Sequence, residues 1–244
     1  MAISLESITQ GAPKRAPLTL IHGTPGIGKT TFATCAPSPI VMRTEDGLGQ
    51  IEVATFPEFE SYDQFMEAMA SLFEGEHEFK TVVIDSLSAL EPLIWKKVAE
   101  DHGKSNLEDI GYGKGYIYAL DYWREVVDAC KGLCKINIMP ILIAHTDIVR
   151  FESPETDAYD RYQIKLHKKA FQFLYEQCDI IGFASEPVLV KKQDKDAKKG
   201  RGISKGIRTL TLVENAAIIA KNRYSMPESI GLVWDEFAEH LPKF

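Results

Sequence analysis

The sequence predicts an α/β fold: a three-layer sandwich around a mostly parallel central sheet, with a C-terminal antiparallel hairpin. Three observations predict it. Apolar runs alternate with amphipathic ones along the chain. The first four apolar runs, at residues 18–22, 39–43, 81–85 and 139–145, are continuous rather than alternating, which suits strands buried on both faces of a parallel sheet. The stretches between them supply helical crossovers, giving the strand–helix order of a layered α/β domain.

In chain order, strands are expected at residues 18–22, 39–43, 81–85, 139–145, 180–185, 208–214 and 217–221. Helices are expected at residues 29–35, 61–73, 91–101, 115–133 and 168–178. The last two strands are separated only by a short turn at Asn215, so they read as the antiparallel hairpin. There is no internal repeat and no clear domain boundary. Residues 1–16 read as an N-terminal extension and residues 17–244 as one domain. Three stretches interrupt the rhythm: 103–115, 146–169 and 191–208. The first two read as long loops, which in a compact domain are usually functional. The third carries eight basic residues (Lys191, Lys192, Lys195, Lys198, Lys199, Arg201, Lys205 and Arg208) against Asp194 and Asp196, and reads as a basic hairpin tip.

Composition limits the function classes. With 244 residues, 45% hydrophobic, the chain can build one substantial core. It has no apolar run of about 18 residues, so no membrane span is expected. Its first residues, MAISLESITQGAPKRAP, lack the apolar stretch of a signal peptide. Cys35, Cys130, Cys134 and Cys178 have no zinc spacing and read as buried apolar thiols in a reducing cytoplasm. The net charge of -7 argues against a surface coated with DNA-binding charge, while leaving room for local basic patches.

One motif carries chemistry outright. Gly23-Thr24-Pro25-Gly26-Ile27-Gly28-Lys29-Thr30 matches G-x-x-x-x-G-K-[ST] at every fixed position, with a strand before it and a helix after it, and together with Thr31 these residues are expected to bind the nucleotide. The glycines let the backbone curl so that several N–H groups point inward, and the helix start adds its positive dipole end. Lys29 is expected to reach the β- and γ-phosphates, and the Thr30 hydroxyl to ligate Mg²⁺. The third expected strand, TVVID, ends in Asp85, whose carboxylate is placed to hold Mg²⁺ through water. Ser86 either assists or caps the next helix. The second strand is followed by Glu45 and Asp46, and Glu45 is the preferred general base.

These residues, in this order, resemble the RecA-like branch of P-loop ATPases, over roughly residues 17–227. The resemblance implies ATP as the nucleotide, which no base-specific motif settles. It implies Glu45 as catalytic glutamate and a polar sensor at the end of the 139–145 strand. That position is His145 here, where a RecA-type recombinase usually has glutamine. It further implies Lys221 and Arg223, in AIIAKNRYSMP, as fingers reaching a neighbouring subunit's ATP, in a homo-oligomer or filament with ATP at its subunit interfaces. The long N-terminal polymerisation segment of RecA and its large C-terminal domain have no counterpart. The compact core, with RTEDGL and VVIDSLSAL, is most similar to phage-encoded RecA-like ATPases, including single-strand annealing proteins of phage recombination. By the same resemblance the two long loops contact single-stranded DNA, through Lys104, Tyr112 and Lys114 in the first and Arg161, Lys165, Lys168 and Lys169 in the second. Bases stack on aromatic rings and lysines meet phosphates. Two other readings stand beside it. One is a small-molecule kinase with residues 191–208 as its lid, and the other a nucleotide-switched interaction protein that does not bind DNA.

Overall fold

The computed structural model describes residues 8, 11, 14–153, 156–192, 200–204 and 206–244. The elements run β1 (Thr19–Gly23), α1 (Lys29–Thr34), β2 (Pro39–Arg43), β3 (Ala54–Thr55), α2 (Tyr62–Glu74), β4 (Thr81–Asp85) and α3 (Leu87–Asp101). A 3₁₀ turn (Leu107–Ile110) leads to α4 (Gly115–Lys135), β5 (Met139–Phe151), β6 (Tyr159–Ile164), α5 (Lys168–Gln177) and β7 (Ile180–Ser185). The chain ends with β8 (Val188–Lys192), β9 (Gly200–Ser204), β10 (Thr209–Thr211), β11 (Lys221–Asn222), β12 (Ser229–Gly231) and α6 (Trp234–Ala238).

The main sheet has the order β12-β10-β7-β1-β5-β4-β2-β3. Its centre, from β7 to β3, is wholly parallel. The connection from β1 to β2 runs one way across this order; those from β2 to β4, β4 to β5 and β5 to β7 run the other way. Right-handed crossovers therefore place α1 on one face and α2 to α5 on the other. The contacts agree: α2, α3, α4 and α5 pack on one another. On the α1 face, Phe32 packs against Trp234 and Phe237 of α6. The expected three-layer sandwich is thus the one observed. Its central strands are buried end to end, as their continuous apolar runs require. Trp123 and Trp234 lie in the core and Trp95 packs against it.

Sequence and structure part company in four places. Residues 146–169 are not one long loop: residues 146–151 and 159–164 are strands. β5 continues to Phe151 and pairs antiparallel with β6, from Thr146↔Ile164 to Phe151↔Tyr159. β-branched and aromatic residues in TDIVRF and YDRYQI favour this pairing. Residues 103–115 contain the 3₁₀ turn, closed by a reciprocal capping box between Asn106 and Asp109. The C-terminal strands are antiparallel, as expected, but do not pair with each other. β10 lies between Phe183–Ser185 of β7 and β12, while β11 takes the other half of β7 at Ile180–Ile181. The turn at Asn215 is real, with Asn215 bridging Ile218; the free edge of β7 simply offers both segments a ladder. Lastly, Cys130, Cys134 and Cys178 are buried, but Cys35 is exposed, because it caps α1 at the surface.

Within 191–208, β8 and β9 form a separate two-stranded antiparallel sheet, with Lys191 opposite Arg201. Lys195, Lys198, Lys199, Lys205, Asp194 and Asp196 lie outside the described residues. Among the described residues no helix is long and apolar enough to cross a membrane.

Candidate functional site: a phosphate loop facing two carboxylates

The sheet register assembles the site. Gly23, the last residue of β1, stands level with His145 on β5 and Ala184 on β7. Asp85, the last of β4, stands between Arg43 on β2 and Ile143 on β5. Thr44 and Glu45 follow directly after β2. The carboxyl ends of β1, β2 and β4 therefore meet His145, partway along β5, at one edge, where an open parallel sheet binds ligands.

The loop from Gly23 to Thr31 leaves β1 at a point with no room for a side chain: a Cβ on Gly23 would lie 2.4 Å from the Ala184 carbonyl oxygen. Gly28, at φ 104°, occupies the left-handed region as N-cap of α1. Between the loop and the β2 and β4 ends lies a cavity of about 360 Å³, lined in part by Pro25, Gly26, Gly28, Lys29, Thr30 and Thr31. Thr24 and Ile27 face a different cavity, towards Phe183.

Lys29 is buried and its ammonium donates to the carbonyls of Gly23 and Thr24 at 2.9 and 3.0 Å. Burial lowers its pKa, against the attraction of Asp85 and Glu45. The Thr30 hydroxyl donates to Asp85 Oδ2 at 2.7 Å, and burial raises the Asp85 pKa above its ordinary value. Across the cis Asp85–Ser86 peptide, Thr44 holds the β4 end in place. Its hydroxyl donates to the Ser86 carbonyl at 2.7 Å and accepts from the Ser86 N–H at 2.8 Å. Thr44 is a structural residue that the sequence reading passed over. Ser86 caps α3, accepting from the Ala89 N–H, and its side chain also hydrogen-bonds to Glu45.

Glu45 faces into the same cavity. Its Oε1 lies 3.1 Å from His145 Nε2, and that hydrogen bond holds its pKa below the ordinary glutamate value. With Glu45 ionised, Nε2 is the donor. Nδ1 is buried without a hydrogen-bond partner among the described residues. The His145 main chain is fixed by Ser88, whose hydroxyl accepts from the His145 N–H and donates to the Lys165 carbonyl. The Lys165 N–H donates to the His145 carbonyl at 2.9 Å.

The donor set fits a nucleotide with a divalent cation. A hydroxyl and a carboxylate already meet at 2.7 Å where a cation between the phosphates would sit, and an ammonium lies beside them. Among the described residues no cluster of three or more His, Cys, Asp or Glu could hold a metal alone. A cation shared with phosphate oxygens suits so sparse a protein ligand set.

A family described as an AAA domain matches residues 16–224. The chain belongs to this AAA domain family. Its phosphate loop after β1 and its mostly parallel sheet are the ones the sequence predicts. No curated protein matches the chain. Among solved structures this AAA domain is similar to the RadB recombinase, with a TM-score of 0.46 and 13% identity over 88% of this chain and 86% of that chain. It is also similar to flagellar accessory protein FlaH from Methanocaldococcus jannaschii, with a TM-score of 0.43 and 9% identity over 89% of this chain and 84% of that chain.

Other expected site residues lie elsewhere on the AAA domain. Lys221 and Arg223 sit beside the start of β7, whereas Gly23 is level with its far end. About four residues of strand, roughly 13 Å, separate the two levels, and both cations are engaged. Lys221 donates to the carbonyls of Tyr175 and Glu176; Arg223 donates to Asp179 and the Glu176 carbonyl.

Lys104, Tyr112 and Lys114 are exposed, Tyr112 completely. Lys165 and Lys168 are exposed and Lys169 is half-buried. The ring of Tyr116, at the start of α4, stacks on His167 before α5 at 4.0 Å, so the two expected DNA loops converge. Arg161 is committed inside the chain instead: its guanidinium pairs with Glu214 and lies over the Phe151 ring.

One cationic residue that the sequence reading placed elsewhere lines the cavity. Arg208, counted in the basic stretch by sequence alone, lines the phosphate cavity. The pairing of β10 with β7 and β12, invisible in sequence, brings it to the loop.

Proposed function

We propose that this chain is an ATP-dependent, single-stranded-DNA-binding recombination or annealing ATPase of the RecA-like kind. It would work in the cytoplasm as an oligomer with ATP at its subunit interfaces. The observation that carries this reading is the path of β5. The strand that presents His145 to Glu45 runs on unbroken into the hairpin with β6. The hairpin then leads through Lys165 and His167 to the surface where the expected DNA loops converge. DNA held there would move the partner of the catalytic carboxylate without any intervening hinge.

The chemistry assigned to each residue follows from its position. Lys29 leaves the loop carbonyls for the phosphates and concentrates positive charge there. Thr30 and Asp85 would hold Mg²⁺, which when bound neutralises charge between the β- and γ-phosphates. Glu45, ionised at neutral pH, orients a water and accepts its proton at the carboxylate. His145 positions Glu45. Lys221 and Arg223 cannot serve their own chain's phosphates from their end of the sheet; a neighbouring chain's phosphates are the target this reading gives them.

The test is the ATPase rate with and without single-stranded oligonucleotide, with a gel shift at low salt. Stimulation and a shift support the reading, and their joint absence overturns it. A second reading, a nucleotide-switched protein that docks another protein, draws on Ile148, an apolar side chain 63% exposed on the β5 hairpin. In that case a stable protein partner would be recovered and no DNA affinity found.

A further inference from the structure

Arg208 lines the phosphate cavity together with its carboxylates. Its Nη1 lies 3.0 Å from where a Cβ on Gly28 would be, so the guanidinium rests against the loop just before Lys29. It lines the same cavity as Lys29, Thr30, Glu45, Asp85 and His145. Its backbone is not that of a free loop. The Arg208 carbonyl accepts from the Leu232 N–H at 3.0 Å, and the next residue, Thr209, is laddered to both Ser185 and Gly231. The side chain is exposed, and among the described residues no carboxylate forms an ion pair with it. The guanidinium is therefore free to meet an anion that enters the cavity.

We propose that Arg208 grips the polyphosphate of the nucleotide bound by its own chain, as a second cation beside Lys29. The proposal rests on the phosphate-loop reading above and deepens it. The cavity holds Asp46 as well as Glu45 and Asp85, so Lys29 alone faces three carboxylates before any phosphate enters. Arg208 offsets that excess. Its planar fork can donate two parallel hydrogen bonds to phosphate oxygens, which an ammonium cannot. Because the residue is anchored by β7 and β12 of the same chain, the grip needs no neighbouring subunit. This separates it from Lys221 and Arg223. It also ties nucleotide occupancy to the segment leading out of the β8–β9 hairpin.

The experiment is a titration of the full chain with Mg²⁺ and either ADP or a non-hydrolysable ATP analogue. It is run at chain concentrations spanning about 100-fold and on four proteins: the natural chain, Arg208→Ala, Arg208→Lys and Lys29→Ala. Arg208→Ala is expected to weaken binding roughly 10-fold or more, the scale of losing charge-assisted hydrogen bonds. The loss should be the same at every chain concentration, Arg208→Lys should recover part of it, and thermal melting without nucleotide should be unchanged. Binding of Arg208→Ala equal to the natural chain, while Lys29→Ala fails to bind, overturns the role of Arg208 and spares the phosphate loop. A loss seen only at concentrations where chains assemble also overturns it, since the grip would then come from a neighbour. Lys29→Ala binding like the natural chain would instead sink the phosphate-loop reading itself.

Discussion

Glu45 Oε1 and His145 Nε2 lie 3.1 Å apart, which joins the turn after β2 to the strand that leads out to the β5–β6 hairpin. The contact depresses the Glu45 pKa, opposing the burial that would raise it. Glu45 thus stays ionised, and able to take a proton, down to a pH below the ordinary glutamate range. In His145→Ala the largest lowering influence is gone, leaving the Ser86 hydrogen bond and the Lys29 charge to oppose burial. The acid limb of the ATPase pH–rate profile should then move to higher pH. An unmoved limb would show that His145 does not tune this carboxylate.

Lys29 and Glu45 should separate binding from turnover. Lys29→Ala removes the cation at the head of α1, and nucleotide binding should be lost. Glu45→Gln keeps the shape and removes the base. Nucleotide should still bind, with the hydrolysis rate down by roughly 10²–10⁴-fold. Equilibrium binding and single-turnover hydrolysis on the same preparations check both. Unchanged turnover in Glu45→Gln would remove Glu45 from the mechanism.

Arg223 has two separable roles. Within its chain it donates to Asp179 at 2.9 Å, a buried carboxylate that also accepts from Arg15 and the Leu18 N–H. Asp179 keeps those other partners in Arg223→Ala, and Arg223 is half exposed, so the stability cost should be small, about 1 kcal/mol. A larger effect on ATPase activity is expected only if subunits share a site. Mixing Arg223→Ala with Glu45→Gln chains should then restore part of the rate, and no recovery on mixing would restrict Arg223 to its contact with Asp179.

His22 should govern stability on the acid side. It is fully buried, donating from Nε2 to the Ile219 carbonyl and accepting at Nδ1 from the Thr146 hydroxyl, each at 2.8 Å. Burial lowers its pKa to about 4. Its neutral form therefore contributes stability in full above the unfolded value near 6.5, and loses it as pH falls from there towards 4. The loss should approach about 3 kcal/mol. Denaturant melts at pH 7, 5.5 and 4 measure it, and in His22→Gln that part of the pH dependence should vanish.

Tyr112 and Lys114 should act on DNA differently. Tyr112→Ala removes an exposed ring and should cost roughly 1–3 kcal/mol of single-strand binding. Lys114→Ala should weaken binding and make it less sensitive to salt. Filter binding between low and moderate salt distinguishes the two, and neither effect is expected on ATPase activity without DNA.

Much of this protein could be read along the chain. The motif from Gly23 to Thr30, the apolar run ending in Asp85 and the position of Glu45 after β2 are local patterns. Strand burial and helix crossovers follow from the same runs. What could not be read depends on pairing across distance. The β-branched and aromatic residues of TDIVRF and YDRYQI carry a strand signal, but its partner, and so the unbroken path from His145 to the hairpin, comes from the register. The choice of β7 as partner for both β10 and β11 was settled by the open edge of a strand, which no neighbouring residue encodes. That choice places Arg208 against Gly28 and carries Lys221 and Arg223 to the other end of the sheet. Sequence determined the chemistry of the phosphate loop because backbone conformation there depends on residues next to one another. Only the tertiary structure decided which distant cations reach that loop, because hydrogen-bond ladders between strands, not local preference, set their positions.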